Sequence, residues 1–134
     1  MKLPRRTFLH LTAWAAALSV APRITWAQTY PARPVRLLVG FAPGGATDIA
    51  ARLMGQWLSE QFGQQFVIEN RTGAASNIAT EAVVRAPADG YTLLTVTATN
   101  AINATLYDKL GFDFIHDIAP VAGIIRFPLN SVML

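Results

Sequence analysis

Val35-Arg36-Leu37-Leu38-Val39-Gly40-Phe41-Ala42-Pro43-Gly44-Gly45-Ala46-Thr47-Asp48 passes within 14 residues from a β-rich apolar run to a glycine turn. The first seven residues read as a buried strand, because continuous apolar side chains suit a strand covered on both faces. The turn cluster 42–48 then opens a helical pattern. Ile49, Leu53 and Trp57, with Ala50, Met54 and Leu58 beside them, repeat at i, i+4 and i+8 and form an apolar stripe. Gly63 suits the left-handed position that ends such a helix.

The same alternation continues outward. Gln65–Glu69 is predicted as a second strand, Asn70–Asn77 as a second small-residue loop, and Ile78–Arg85 as a short helix. Pro87-Ala88-Asp89-Gly90 turns the chain into a third strand, Tyr91–Thr97. Strands joined through helices by connections this short imply an α/β fold with a parallel sheet. Right-handed crossovers place the loops that follow the strands on one edge, where ligands of open parallel sheets bind. The loops 42–48 and 72–77, with Ala98-Thr99-Asn100 after the third strand, therefore form one candidate site.

Residue types set what those loops can do. Pro43-Gly44-Gly45-Ala46-Thr47-Asp48 offers unhindered backbone N–H groups and a hydroxyl at a helix start, where unpaired donors and the helix dipole favour an anion. Asp48 is better suited to cap the helix or orient neighbouring amides than to meet a negative ligand. Gly73-Ala74-Ala75-Ser76-Asn77 repeats the design before the second helix, with Ser76 or Asn77 as an alternative plain N-cap. Thr97, Thr99 and Asn100 are further donors for a carboxylate. A glycine-rich turn and a capped helix without ligand is the competing reading of either loop alone. The pattern lacks Gly-x-Gly-x-x-Gly and a Walker-type Gly-Lys-Ser, which argues against a nucleotide.

Catalytic groups are scarce. The chain has no Cys, which excludes a disulfide framework and a thiol nucleophile. Beyond residue 27 the one His is His116, beside Asp117 and near Asp113, and it reads as a surface or turn histidine. One His disfavours a His-based zinc site, and Ser76 has no evident His partner, so neither metal, cofactor nor Ser-His-Asp chemistry is expected. Glu69 and Glu81 read as surface carboxylates.

Charge is unevenly placed. The 134 residues carry 11 Lys and Arg against 8 Asp and Glu, a formal charge of +3. Lys2, Arg5, Arg6 and Arg23 precede every acidic residue and flank the apolar run Leu11–Val20. That run is too short for a bilayer span of about 20 residues. With the exit Thr25-Trp26-Ala27 it forms an export signal, residues 1–27, cut between Ala27 and Gln28. Arg5-Arg6 leaves both twin-arginine and ordinary secretory routes open, with a retained anchor as the least favoured alternative. Removing the signal leaves 7 basic residues against 8 acidic ones, a net charge of −1, and withdraws a nucleic-acid reading. Stable membrane insertion after cleavage is not expected.

Five segments in order carry a family resemblance. They are Tyr30–Arg36; Phe41-Ala42-Pro43-Gly44-Gly45 with Asp48 and Ala51-Arg52; Val67–Arg71 with Gly73-Ala74; Ala88–Leu94; and Asp117–Val121. In these the chain resembles the tripartite tricarboxylate transporter substrate-binding family, also called the Bug family of bacterial periplasmic receptors. The resemblance implies a hinged, two-lobed receptor of the type II periplasmic class that closes on a small carboxylate and hands it to a membrane permease. On matching positions it implies ligand contacts at Phe41, Ala42, Gly44, Gly45, Thr47 and Asp48, then at Ala74, Ser76 and Asn77, with Thr97 and Asn100. Ala75, Ser76 and Ala79 stand where the family often has glycine, and each added Cβ narrows close approach to the second loop.

Members of the family are much longer than this chain. Residues 28–134 are accordingly expected to hold an incomplete first lobe, as in a truncated or frameshifted gene or a partial sequence. Ligand binding by the chain alone is expected to be weak or absent. An exported α/β enzyme and a non-functional fragment of the receptor are the alternative readings.

Overall fold

The computed structural model describes residues 29–107 and 109–124. The expected export signal, residues 1–27, lies outside the described residues. Three strands, β1 (Val35–Val39), β2 (Phe66–Asn70) and β3 (Thr92–Thr95), form a parallel sheet in the order β2-β1-β3. Leu37 stands in register with Ile68 on one side and Leu93 on the other. The α/β reading therefore holds, with β1 as the central strand.

β1 is central because it is the most apolar strand. Val35, Leu37, Leu38 and Val39 are all buried, while Arg36 alone is exposed and pairs with Glu69 of β2. Side chains alternate across a strand, so Leu37 and Val39 face one side and Leu38 and Gly40 the other. Helix α1 (Ala46–Phe62) covers the first side, where Leu37, Val39 and Ala51 make a core flanked by Phe41, Ile68 and Leu93. Gly63 ends α1 at φ 66° and donates its N–H to Ser59 O at 3.0 Å, as the sequence predicts.

The face that α1 turns to the sheet is not the apolar stripe. Its buried residues are Asp48, Ala51 and Gly55, and a Cβ on Gly55 would lie 2.7 Å from Ile68 Cδ1. Small residues let the helix settle close to the sheet, and the larger ones are left outside. Ile49, Leu53 and Trp57 are 52%, 65% and 53% exposed. Periodicity located the helix, and small residues rather than the apolar stripe form its buried side.

A short turn, Ala74–Ser76, leads into α2 (Asn77–Val84), and β3 leads into α3 (Ala98–Leu106). Both helices lie on the Gly40 side: an added Cβ on Gly40 would lie 2.4 Å from Ser76 Cβ and 2.8 Å from Ser76 Cα. α3 adds a helix that the sequence reading did not assign: residues 98–100, expected only to follow the third strand, form its first turn. Thr97 is its N-cap, and Asn100 Oδ1 accepts the Thr97 N–H at 2.9 Å. The predicted third strand, 91–97, shortens to Thr92–Thr95 because its ends have other work. Val96 and Thr97 lead into α3. Tyr91 joins a clasp at the opposite edge of the sheet, where Tyr30 donates to Gly90 O at 2.7 Å and Tyr91 Oη accepts the Ala32 N–H at 2.9 Å. Arg33 pairs with Asp89 at 2.9 Å and stacks 4.3 Å above the Tyr91 ring. Two of the five family segments thus tie the chain at residues 30–33 to the turn before β3.

Candidate functional site

The carboxyl edge of the sheet gathers the exits of β1, β2 and β3. The β1 exit turns at Gly44, whose φ of 84° favours glycine. Asp48 anchors this loop from the first turn of α1. Its Oδ2 accepts the Gly44 N–H at 2.9 Å and Arg52 Nε at 2.8 Å. Its Oδ1 accepts Arg52 Nη2 at 3.0 Å and Asn70 Nδ2 at 2.8 Å. Asn70 also donates to Phe41 O at 3.1 Å, joining the end of β2 to the end of β1.

These donors hold the Asp48 carboxyl well below the usual carboxylate range, Arg52 contributing most, then the Gly44 amide and Asn70. Arg52 is pushed up in return by the same hydrogen bonds. The anchor is therefore an ion pair with no net charge. It leaves the first-turn amides of α1, which have no intrahelical acceptors, to face the open edge. Ala42, Gly44 and Gly45 are exposed there, with Phe41 and Thr47 half-buried.

The second loop is built differently. Ala74, Ala75 and Ser76 have φ of 46°, 51° and 76°, three successive non-glycine residues in the left-handed region. For an L-residue this region costs roughly 1–2 kcal/mol each. Such a backbone persists only where its surroundings over-determine it. Here Ser76 is wholly buried against Gly40. Ser76 O accepts Thr80 Oγ1 at 3.0 Å, and Ser76 Oγ accepts Asn100 Nδ2 at 3.1 Å. Asn103 Nδ2 donates to Ala75 O at 2.7 Å and to Asn77 Oδ1 at 2.9 Å. Ala74 and Ala75 themselves are exposed.

Residues singled out from sequence therefore divide into two groups. Phe41, Ala42, Gly44, Gly45, Thr47, Ala74, Asn77 and Thr97 keep some surface at or beside this edge. Asp48, Ser76 and Asn100 are 2%, 0% and 2% exposed and turn their polar atoms to protein partners. Asp48 orients the Gly44 amide, as its residue type suggested. Arg52, Asn70, Thr80 and Asn103 were not singled out as site residues. The signals were present: Arg52 lies four residues after Asp48, and Asn103 lies one helical turn after Asn100.

The other charged groups pair among themselves. His116 is exposed and its Nδ1 lies 2.8 Å from Asp113 Oδ2, a contact that raises the imidazole pKa. This is the turn histidine that the sequence predicts. Glu81 pairs with Arg85 one turn along α2, and Glu69 with Arg36 and Arg71. A shallow groove of about 510 Å³ lies at the amino end of β2, against Gln56, Ser59, Glu60, Gln65, Phe66 and Val67, and gathers no convergent charge.

The sequence has close parallels. The family model described as tripartite tricarboxylate transporter family receptor matches residues 50–133, more than half of the chain. The chain belongs to this family. Among curated relatives of the receptor family, it is 40% identical over 108 residues to Protein BugT of Bordetella pertussis, covering 79% of this chain and 33% of that protein. It is 36% identical over 115 residues to a protein of the TAR-I ttuE-ttuC' intergenic region of Agrobacterium vitis, covering 85% and 33%.

Solved structures agree. MatC from Rhodopseudomonas palustris with bound malate is similar at TM-score 0.66 and 37% identity, over 71% of this chain and 33% of that one. A second R. palustris protein, solved with adipate, gives 0.60 and 46%, over 63% and 28%. The chain spans about a third of the length of the curated relatives it matches. The matched parts amount to about a third of those structures.

Proposed function

We propose that this chain serves in an extracytoplasmic receptor that captures a small carboxylate for a tripartite tricarboxylate-type transporter. The ligand carboxylate is received at the carboxyl edge by the amides of Ala46, Thr47, Ala74 and Ala75, with the Thr47 hydroxyl as a further donor. The Gly44, Gly45, Ser76 and Asn77 amides and the Thr97 hydroxyl are bonded within the protein and shape the site. The observation that carries the reading is the convergence of two small-residue loops, each opening a helix, on one edge of a parallel sheet. Malate and adipate in the similar R. palustris structures support a carboxylate as the ligand class. Asp48, Ser76 and Asn100 act in this reading by holding the loops in shape. Export of residues 28–134 to the periplasm, with cleavage after Ala27, completes the proposal. An exported enzyme is disfavoured because the one histidine among the described residues, His116, lies in an exposed turn with Asp113 as its hydrogen-bond partner.

The described residues offer one wall for a ligand, so binding by this chain is expected at millimolar rather than micromolar concentration. Titrating ¹⁵N-labelled chain with malate, adipate, citrate and a neutral sugar tests this. Selective movement of the Ala46, Thr47, Ala74 and Ala75 amide signals with the acids is the expected result. Equal response to the sugar, or response confined to other residues, would overturn the carboxylate site.

A further inference from the structure

Ala74-Ala75-Ser76 holds a backbone that its side chains disfavour, and the groups that hold it come mostly from one helix. Asn100 and Asn103 lie one turn apart on α3, both about 2% exposed, and both aim Nδ2 at this turn. Their targets differ. Asn100 reaches side chains, Ser76 Oγ and Thr80 Oγ1, each at 3.1 Å. Asn103 reaches the strained backbone itself, the Ala75 carbonyl at 2.7 Å, and steadies the head of α2 through Asn77 Oδ1 at 2.9 Å. A carboxamide is suited to this because one NH₂ group supplies two donors to two acceptors. Asp would present oxygen to oxygen at both.

We infer that Asn103 is a positioning residue for the second loop: by capturing the Ala75 carbonyl it holds residues 74–76 left-handed and so sets the direction of their exposed amides. The ligand consequence rests on the carboxylate reading above, whereas the conformational consequence does not. With the Asn103 donor gone, the turn relaxes toward negative φ and the Ala74 and Ala75 amides leave the carboxyl edge. Glycine at 75 has no Cβ penalty in this region and removes the need for the donor. The first loop has its own anchor in Asp48 and is left in place.

The experiment compares the full chain with Asn103→Ala, Asn103→Asp and the double variant Asn103→Ala/Ala75→Gly. One-bond Cα–Hα couplings at 74–76 report the sign of φ without any ligand. Adipate titration reports the two loops separately through their amides. Both single variants are expected to lose positive φ at Ala75. They should also weaken the adipate response at 74–77 by roughly tenfold, about the scale of a lost hydrogen bond and its orientation. The response at Ala46 and Thr47 should persist, and the double variant should recover both readouts at 74–77. Positive φ retained in Asn103→Ala, or no recovery on adding glycine at 75, would overturn the inference. If a single variant does not fold, the double variant still decides: its folding with left-handed 74–76 supports the role, and its failure to fold overturns it. Absence of any adipate response in the unmodified chain would sink the carboxylate reading and leave the coupling result to judge Asn103.

Discussion

The β1 exit and the β2 exit reach the same edge of the sheet by opposite means. The first bends at glycines and is fastened by charge, through Asp48, Arg52 and Asn70. The second bends at alanines and a serine and is fastened by neutral carboxamides and hydroxyls from α2 and α3. The first loop has a relaxed backbone and a titratable anchor. The second has a strained backbone and an anchor that no pH change between 2 and 12 would ionise, since Ser, Thr and Asn do not titrate there. A small-residue loop is thus shaped either by conformational freedom or by a cage, and each route leaves a different weakness.

The weakness common to both is Gly40. It follows the strand that leads into the first loop, yet the space it leaves is filled by Ser76 of the second. In Gly40→Ala the new Cβ would sit 2.8 Å from Ser76 Cα, a backbone atom that no rotamer change moves aside. Overpacking of this kind costs about 3 kcal/mol. For a domain of this size the midpoint of thermal unfolding should fall by more than roughly 10 °C. A shift of only a degree or two would mean that the second loop is not locked against β1, and the contrast between a free loop and a caged one would lapse.

Next in size is the charged anchor. Asp48→Asn keeps the shape but weakens the hold on Arg52 and the Gly44 amide, and the melting midpoint at neutral pH should fall by several degrees. The pH dependence identifies the cause. Because the folded carboxyl titrates below its unfolded value, near 3.9 for Asp, its contribution is complete above that range. It shrinks as pH falls from there toward the lowered folded value. The gap between the unmodified chain and Asp48→Asn should therefore close on acidification below about pH 4. A parallel comparison of Asn103→Ala should show a gap that stays constant over the same titration. Equal pH dependence in both variants would erase the distinction between the two anchors.

Sequence reading succeeded where local chemistry decides the outcome. Gly63 as the end of α1, the β1 run and the glycine bend at 44 follow from conformational preferences that tertiary context did not override. It failed where a partner decides. The Ile49, Leu53 and Trp57 stripe is exposed because the sheet accepts Ala51 and Gly55, whose small size has no strong signature in a hydrophobic pattern. Ser76 and Asn100 read as ligand donors because their residue types suit one. Whether such a group faces solvent or a neighbour depends on α3, which the Thr- and Asn-rich segment 97–103 did not reveal. Asp48 was legible in part: its orienting of a neighbouring amide follows from its place at the helix start, while its partner Arg52 had a signal in the i, i+4 spacing that was not used.

The finest distinction between the loops lies in exchanging their residue types. Gly44→Ala places a Cβ at φ 84°, where no neighbour lies within 4 Å, so the loss is conformational alone and should be about 1 kcal/mol. Ala75→Gly works in the opposite direction, relieving the left-handed strain while giving the unfolded chain more freedom to lose. These terms nearly cancel, and chemical denaturation should place the variant within about 0.5 kcal/mol of the unmodified chain, on the stabilised side. A clear loss from Ala75→Gly would show that the Ala75 methyl contributes packing that its exposure conceals. It would also show that alanine is held in this turn for contact, with its left-handed backbone a tolerated consequence of that contact.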